Sequence, residues 1–468
     1  MINTAINQLI TFALQKNMIL EEDANYSINL LVDLFKLNHF EKEVVEEVSL
    51  YDILDTMLDY AVHNGIIEDT TTNRDLFDTR IMNCIMPRPS EVIGKFNSLF
   101  EKDSSKATDY FYDLSINSNY IRKSRTDKNI KFSHFYKYGD IQISINLSKP
   151  EKDPKEIAKA KLIKSSGYPK CLLCKENVGY SGNLNHPARQ THRIIPIHLN
   201  DKKFYLQYSP YVYYDEHCIV LNEDHVPMKM NRKTIENLFS FVNQFPHYMI
   251  GSNADLPIVG GSILTHDHYQ GGRHHFPMED AKIVHEYMIK NTSIKAQILN
   301  WPLSTLRLTS KNDKELIDFA ELVLNKWIDS RKKSPKELYN ALKSFVTYLE
   351  DVEYLCKSKG ECYEFWFREI LTTPDYITKR KNELNELSQN LEALQRQYEK
   401  KKSELLSLDS RITKALIEND GILQSDFIKK FDPLIENEVR EKLYYLSKEG
   451  KLQRIKTGRS YTLHYNSK

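Results

Sequence analysis

The chain has 468 residues, with 65 basic against 64 acidic side chains and a formal net charge of +1. That length suggests two to four domains with ample core, and the charge balance excludes a chain built throughout to bind polyanions, leaving only local basic patches for such a role. No apolar run approaches the roughly 18 residues of a membrane helix, Met1-Ile2-Asn3-Thr4 lacks the basic start of a signal peptide, and six scattered cysteines read as reduced thiols. A cytoplasmic protein with no membrane partner is expected.

Residues 1–128 read as an N-terminal helical region. Ile6, Leu9, Ile10 and Ala13 form one helical stripe, Ile28, Leu31, Leu34 and Phe35 another, and Ile53, Met57, Tyr60 and Ala61 a third. Pro87 and Pro89 mark a break. Residues 129–328 change character, with strand-like runs such as Ile141-Gln142-Ile143-Ser144-Ile145 and Cys218-Ile219-Val220-Leu221. Arg232 to Phe245 fits an amphipathic helix. Strands with a few helices indicate an α+β domain built on an antiparallel sheet. Eleven of the 15 histidines fall between His186 and His285, so the chemistry is expected there.

Residues 329–408 turn to Lys, Glu, Leu and Ser and read as a helical, coiled-coil segment. Ile377, Leu384, Leu391, Tyr398, Leu405 and Ile412 recur every seven residues, a heptad seam marred by Lys401. Residues 409–468 read as a winged-helix-like segment: three short helices, then a basic hairpin around Lys456-Thr457-Gly458-Arg459. Nucleic acid is expected, if anywhere, at this segment alone.

The most informative stretch runs from Gly260 to Gly272. Read as extended chain, it places His266, His268 and Gln270 on one face about 7 Å apart, and Thr265, Asp267 and Tyr269 on the other. The glycine pairs at either end let a phosphate approach the backbone. An imidazole nucleophile, a second imidazole and an amide suit attack on a phosphorus centre. Cys171-Leu172-Leu173-Cys174 has the spacing of half a zinc site. His225 follows a strand-like run, and Asn253 lies in a loop that can reach the same strand end.

These features resemble the type II galactose-1-phosphate uridylyltransferases of Gram-positive bacteria, a branch of the histidine-triad superfamily. The matching words run from Gly167 to Asn177, Asn185 to Pro196, Gln207 to Tyr211, Glu216 to Cys218, Phe245 to Tyr248 and Gly251 to Gly272. The resemblance covers about residues 1–328. It implies a histidine-triad-like sheet domain and ping-pong uridylyl transfer between UDP-glucose and galactose 1-phosphate, giving glucose 1-phosphate and UDP-galactose, in a homodimer. His268 matches the residue that attacks the α-phosphorus. Gln270 and Ser262 would donate to the non-bridging oxygens, Asn253 would hold the nucleotide, and Arg189 and Arg193 are phosphate partners by their fork geometry. Cys171, Cys174, His225 and His266 match the ligands of a structural zinc. Glu279 reads as a helix-start carboxylate rather than a second-metal ligand.

After about Trp327 the resemblance ends, since the family's histidine-rich C-terminal half has no match and His464 is the lone histidine of the last 180 residues. The second half-reaction is therefore expected to be slower than the first. The competing expectation is a non-catalytic fusion whose winged helix docks on DNA or protein.

Overall fold

The computed structural model describes residues 2–145, 167–253, 263–302, 304–330, 353–359, 362–369, 411–431, 436–448, 451–457 and 460–466. It divides into two compact units, Met1–Thr373 and Pro374–Lys468.

The first unit begins with helices α1 (Ile2–Gln15), α2 (Glu21–Leu34), α3 (Leu50–His63), α4 (Thr71–Asn83), α5 (Pro89–Phe100) and α6 (Ser104–Asn117). The apolar stripes face inward: Ile6, Leu9, Ala13, Ile53, Met57 and Ala61 are buried in one core. Side-chain caps set several starts, as Ser49 accepts from the Asp52 N–H and Thr70 from the Asn73 N–H. Pro89 opens α5 at a position where its missing N–H costs nothing. A short helix, α7 (Lys123–Thr126), and a hairpin of β1 (Ile130–Tyr136) with β2 (Gly139–Ile145) follow.

A ten-stranded sheet forms the body of this unit. Its strands are β3 (Ile195–Leu199), β4 (Lys202–Tyr208), β5 (Cys218–Asn222), β6 (Met249–Ser252), β7 (His268–Gly272), β8 (Ile283–Met288), β9 (Lys295–Leu299), β10 (Ser304–Ser310), β11 (Glu353–Lys359) and β12 (Cys362–Glu369). They lie in the order β3-β4-β5-β7-β6-β11-β12-β10-β9-β8, and every neighbouring pair is antiparallel. The fold class is thus α+β with an antiparallel sheet, as the alternating runs imply.

Helix α8 (Arg232–Gln244) covers one face of the sheet. Asn231 caps it by accepting from the Lys233 and Thr234 N–H groups. Its Ile235, Leu238, Phe239 and Val242 join Phe204, Leu206, Val220 and Tyr269 in the main core. Each such side chain contributes about 1.5–3 kcal/mol by leaving water. The opposite face carries a smaller apolar cluster of Leu173, Ile194, Tyr205 and Leu221, against which Cys171, Ile219 and Ile263 pack. This second face holds the site described below.

Residues 353–369 depart from the sequence reading. Composition placed them in a helical segment, yet β11 and β12 form a hairpin inserted between β6 and β10. Tyr354, Leu355 and Cys356 stand opposite Ser252, Gly251 and Ile250. The run Cys362-Tyr363-Glu364-Phe365-Trp366-Phe367 is dense in strand-forming aromatics, a local signal lost when the segment is averaged with the Lys- and Glu-rich chain around it. Helix α9 (Asp313–Ser330) precedes the hairpin. The heptad seam of 377–410 lies outside the described residues.

The second unit has its own core. Helical residues 411–418, α10 (Gln424–Ile428) and α11 (Glu436–Lys448) pack Ile412, Leu416, Phe427, Val439 and Leu443 beneath the sheet of β13 (Ile422–Leu423), β15 (Ser460–Tyr465) and β14 (Leu452–Thr457). Three helices and a hairpin match the winged-helix-like expectation. Among the described residues no helix is long and apolar enough to cross a membrane.

Candidate functional site

Strand β7 carries the site. His268 stands opposite Leu221 and Gln270 opposite Ile219 on β5, so both side chains lie on the face away from α8. Strand β7 begins at His268, so the extended reading from Thr265 onward holds only for its second half. His266 lies in a turn closed by its N–H donating to the Ile263 carbonyl, at 3.1 Å. That turn frees the His266 ring from the strand face and sends it toward the CxxC loop.

There, four ligand atoms converge within 4.8 Å of one another, one each from Cys171, Cys174, His225 and His266. The Cys171 Sγ lies 3.5 Å from the Cys174 Sγ and 3.3 Å from the His266 Nδ1. The Cys174 Sγ lies 3.1 Å from the His225 Nδ1 and 3.7 Å from the His266 Nδ1. A zinc tetrahedron with bonds of about 2.0–2.3 Å has ligand–ligand edges of about 3.3–3.8 Å, so the donor set fits that ion. The tautomer fits as well. His266 donates its Nε2–H to the Asn222 carbonyl at 2.8 Å, which leaves Nδ1 with a free lone pair toward the sulfurs. Burial and the Cys171 sulfur push the Cys174 thiol up to about 11, a shift that a divalent cation would reverse.

The turn also orients His268. Its Nδ1–H donates to the His266 carbonyl at 2.7 Å, so Nε2 keeps its lone pair. Burial lowers the His268 imidazole below its ordinary value, and the His266 carbonyl partly offsets this. The ring is neutral near pH 7 and 3% exposed. Gln270 accepts at Oε1 from the His217 Nε2–H at 3.1 Å and donates from Nε2 to the Asn253 Oδ1 at 3.4 Å. Gln270 thus meets Asn253, the residue that follows β6. Ser262 lies outside the described residues.

The two arginines differ. Arg193 gives its guanidinium to the carbonyls of Pro87, Gln190 and His192, which ties the β3 approach to the helical region. It is not brought to the site. Arg189 sits over the Tyr120 ring at 5.5 Å, with its Nε lacking a hydrogen-bond partner. It lines a cavity of about 310 Å³ between α4 and residues 183–191. Glu279 is buried and accepts from the Phe276 N–H at 2.9 Å, as a helix-start carboxylate does. Reading the sequence missed Asn222 and His217. Asn222 serves through its carbonyl, which leaves no sequence signal, whereas His217 sits in the quoted word Glu216-His217-Cys218 without an evident partner.

The N-terminal domain of galactose-1-phosphate uridyl transferase, as a family model, matches residues 18–227. A galactose-1-phosphate uridylyltransferase of Butyrivibrio fibrisolvens is 46% identical over 368 residues, covering 78% of this chain and 94% of that protein. The chain belongs to the galactose-1-phosphate uridylyltransferase family. Family members of the same name from Clostridium acetobutylicum and Caldanaerobacter subterraneus are 58% and 57% identical over 330 and 328 residues. These matches cover 70% and 69% of this chain, which spans 66% and 63% of the length of those two family proteins.

Proposed function

We propose that the chain transfers a uridylyl group from UDP-glucose to galactose 1-phosphate through a covalent intermediate on His268. The observation that carries this reading is the His268 ring itself: buried, and held at Nδ1 so that Nε2 keeps its lone pair for attack. Attack by Nε2 on the α-phosphorus breaks the bond to the bridging oxygen and releases glucose 1-phosphate. Positive charge then develops on the imidazole, and the His266 carbonyl, bonded to Nδ1–H, stabilises it. In the second step an oxygen of galactose 1-phosphate attacks the same phosphorus and displaces His268.

Gln270 would donate to the non-bridging oxygens, Ser262 would assist, and Asn253 would hold the nucleotide. Arg189, whose Nε has no hydrogen-bond partner, is the phosphate partner favoured here, and Arg193 a positioning residue. Cys171, Cys174, His225 and His266 would hold a structural zinc. When bound, that ion fixes the turn whose carbonyl orients His268 and does no redox chemistry. Matches that cover about 70% of the chain necessarily span its middle, where these residues lie, and this weighs against the non-catalytic alternative.

Incubation with UDP-glucose and galactose 1-phosphate should yield UDP-galactose and glucose 1-phosphate, and His268→Ala should yield neither. Turnover by His268→Ala at the wild-type rate would assign the nucleophile elsewhere.

A further inference from the structure

We infer that His217 is a positioning residue that sets which way the Gln270 amide faces. The inference rests on the uridylyl-transfer reading of the same site. A glutamine amide is nearly symmetric in shape but opposite in chemistry at its two ends. Only the NH₂ end can stabilise the charge that builds on non-bridging phosphate oxygens. Something must therefore hold Oε1 away from the substrate.

His217 meets that need by geometry. Its ring is 2% exposed and lies between Tyr213 and Tyr214, with centroids at 5.3 and 4.6 Å. Its backbone is held on both sides, since its N–H donates to the Tyr214 carbonyl and its carbonyl accepts from the Ser209 N–H. Nδ1 is buried without a hydrogen-bond partner, so a proton there would be an unsatisfied donor. The proton belongs on Nε2, which faces Gln270 Oε1 at 3.1 Å. With Oε1 so engaged, the Gln270 NH₂ group points to Asn253 Oδ1 at 3.4 Å. With the proton on His217 Nε2, the chain His217 to Gln270 to Asn253 runs donor to acceptor. Reversing the amide would set Oε1 against Oδ1 of Asn253.

The test compares two neutral substitutions. His217→Gln can still donate to Oε1, whereas His217→Met fills the space between the tyrosines without a donor. Single-turnover labelling by UDP-glucose, at saturating substrate, reads the first chemical step. His217→Met should slow labelling by about a hundredfold, the scale for loss of one oriented oxyanion donor, with little change in the half-saturating concentration. His217→Gln should remain within about tenfold of wild type. In a Gln270→Ala background, His217→Met should cost nothing further, because the amide it orients is gone. Equal impairment of the Met and Gln variants, or a full loss that persists without Gln270, would overturn the positioning role alone. Absence of label on the wild-type protein would overturn the transfer reading, and this role with it.

Discussion

His217 also gives the chain a pH signature that needs no substrate. Burial lowers its imidazole to about 4, with the Gln270 hydrogen bond acting weakly in the opposite direction. An unfolded histidine titrates near about 6.5, so between those values the unfolded chain binds more protons than the folded one. Stability from this residue is therefore complete above about pH 6.5 and falls as the pH drops toward 4, by at most about 1.4 kcal/mol per pH unit. Urea unfolding at pH 7 and pH 5 should show a lower midpoint at pH 5, and a smaller drop in His217→Met. An equal drop in both proteins would place the titrating groups elsewhere.

The cluster of Cys171, Cys174, His225 and His266 joins three separate pieces of chain: the CxxC loop, the segment after β5 and the turn before β7. Purified without chelator, the protein should carry one zinc per chain. Cys171→Ser and His225→Ala should each lose the metal and lower the thermal midpoint, because closing the site is coupled to folding. A folded preparation without zinc by elemental analysis would refute the assignment. The contact between β6 and β7 is equally specific. A Cβ on Gly271 would lie 2.7 Å from the Met249 carbonyl oxygen, a backbone atom that cannot swing aside. Gly271→Ala should cost about 1–3 kcal/mol of stability, and an unchanged unfolding midpoint would show that the two strands can part freely.

At this scale the sequence told most where periodicity was local. The stripes of α1 and α3, the strand Cys218–Asn222 and the helix Arg232–Gln244 were all readable from apolar spacing. The four Cys and His side chains of the cluster were readable by type. Their assembly came from the family resemblance and not from spacing, because it depends on the turn that takes His266 out of the strand. The partner of His217 was hidden because it comes from a different segment, brought near by the pairing of β5 with β7, which no spacing within one segment encodes.

Taken as a whole, the Met1–Thr373 unit joins a helical region to a sheet whose strands come from distant parts of the chain. The β11–β12 hairpin belongs to that sheet, one strand removed from β7, so a segment that composition sets apart in fact continues the sheet. Among the described residues of the second unit, those from Ile412 to Leu463 close a core of their own. Since His464 is the lone histidine of the last 180 residues, where the resemblance implies histidine-rich acceptor groups, the acceptor step is expected to be slower than the nucleotide step.

The most direct measurement follows the protein itself. Brief exposure to UDP-glucose, then intact-mass and peptide mass spectrometry, should reveal one uridylyl group on the His268 imidazole, and galactose 1-phosphate should remove it more slowly than it formed. A protein that turns over without any adduct, or carries it on another residue, would contradict the proposed mechanism.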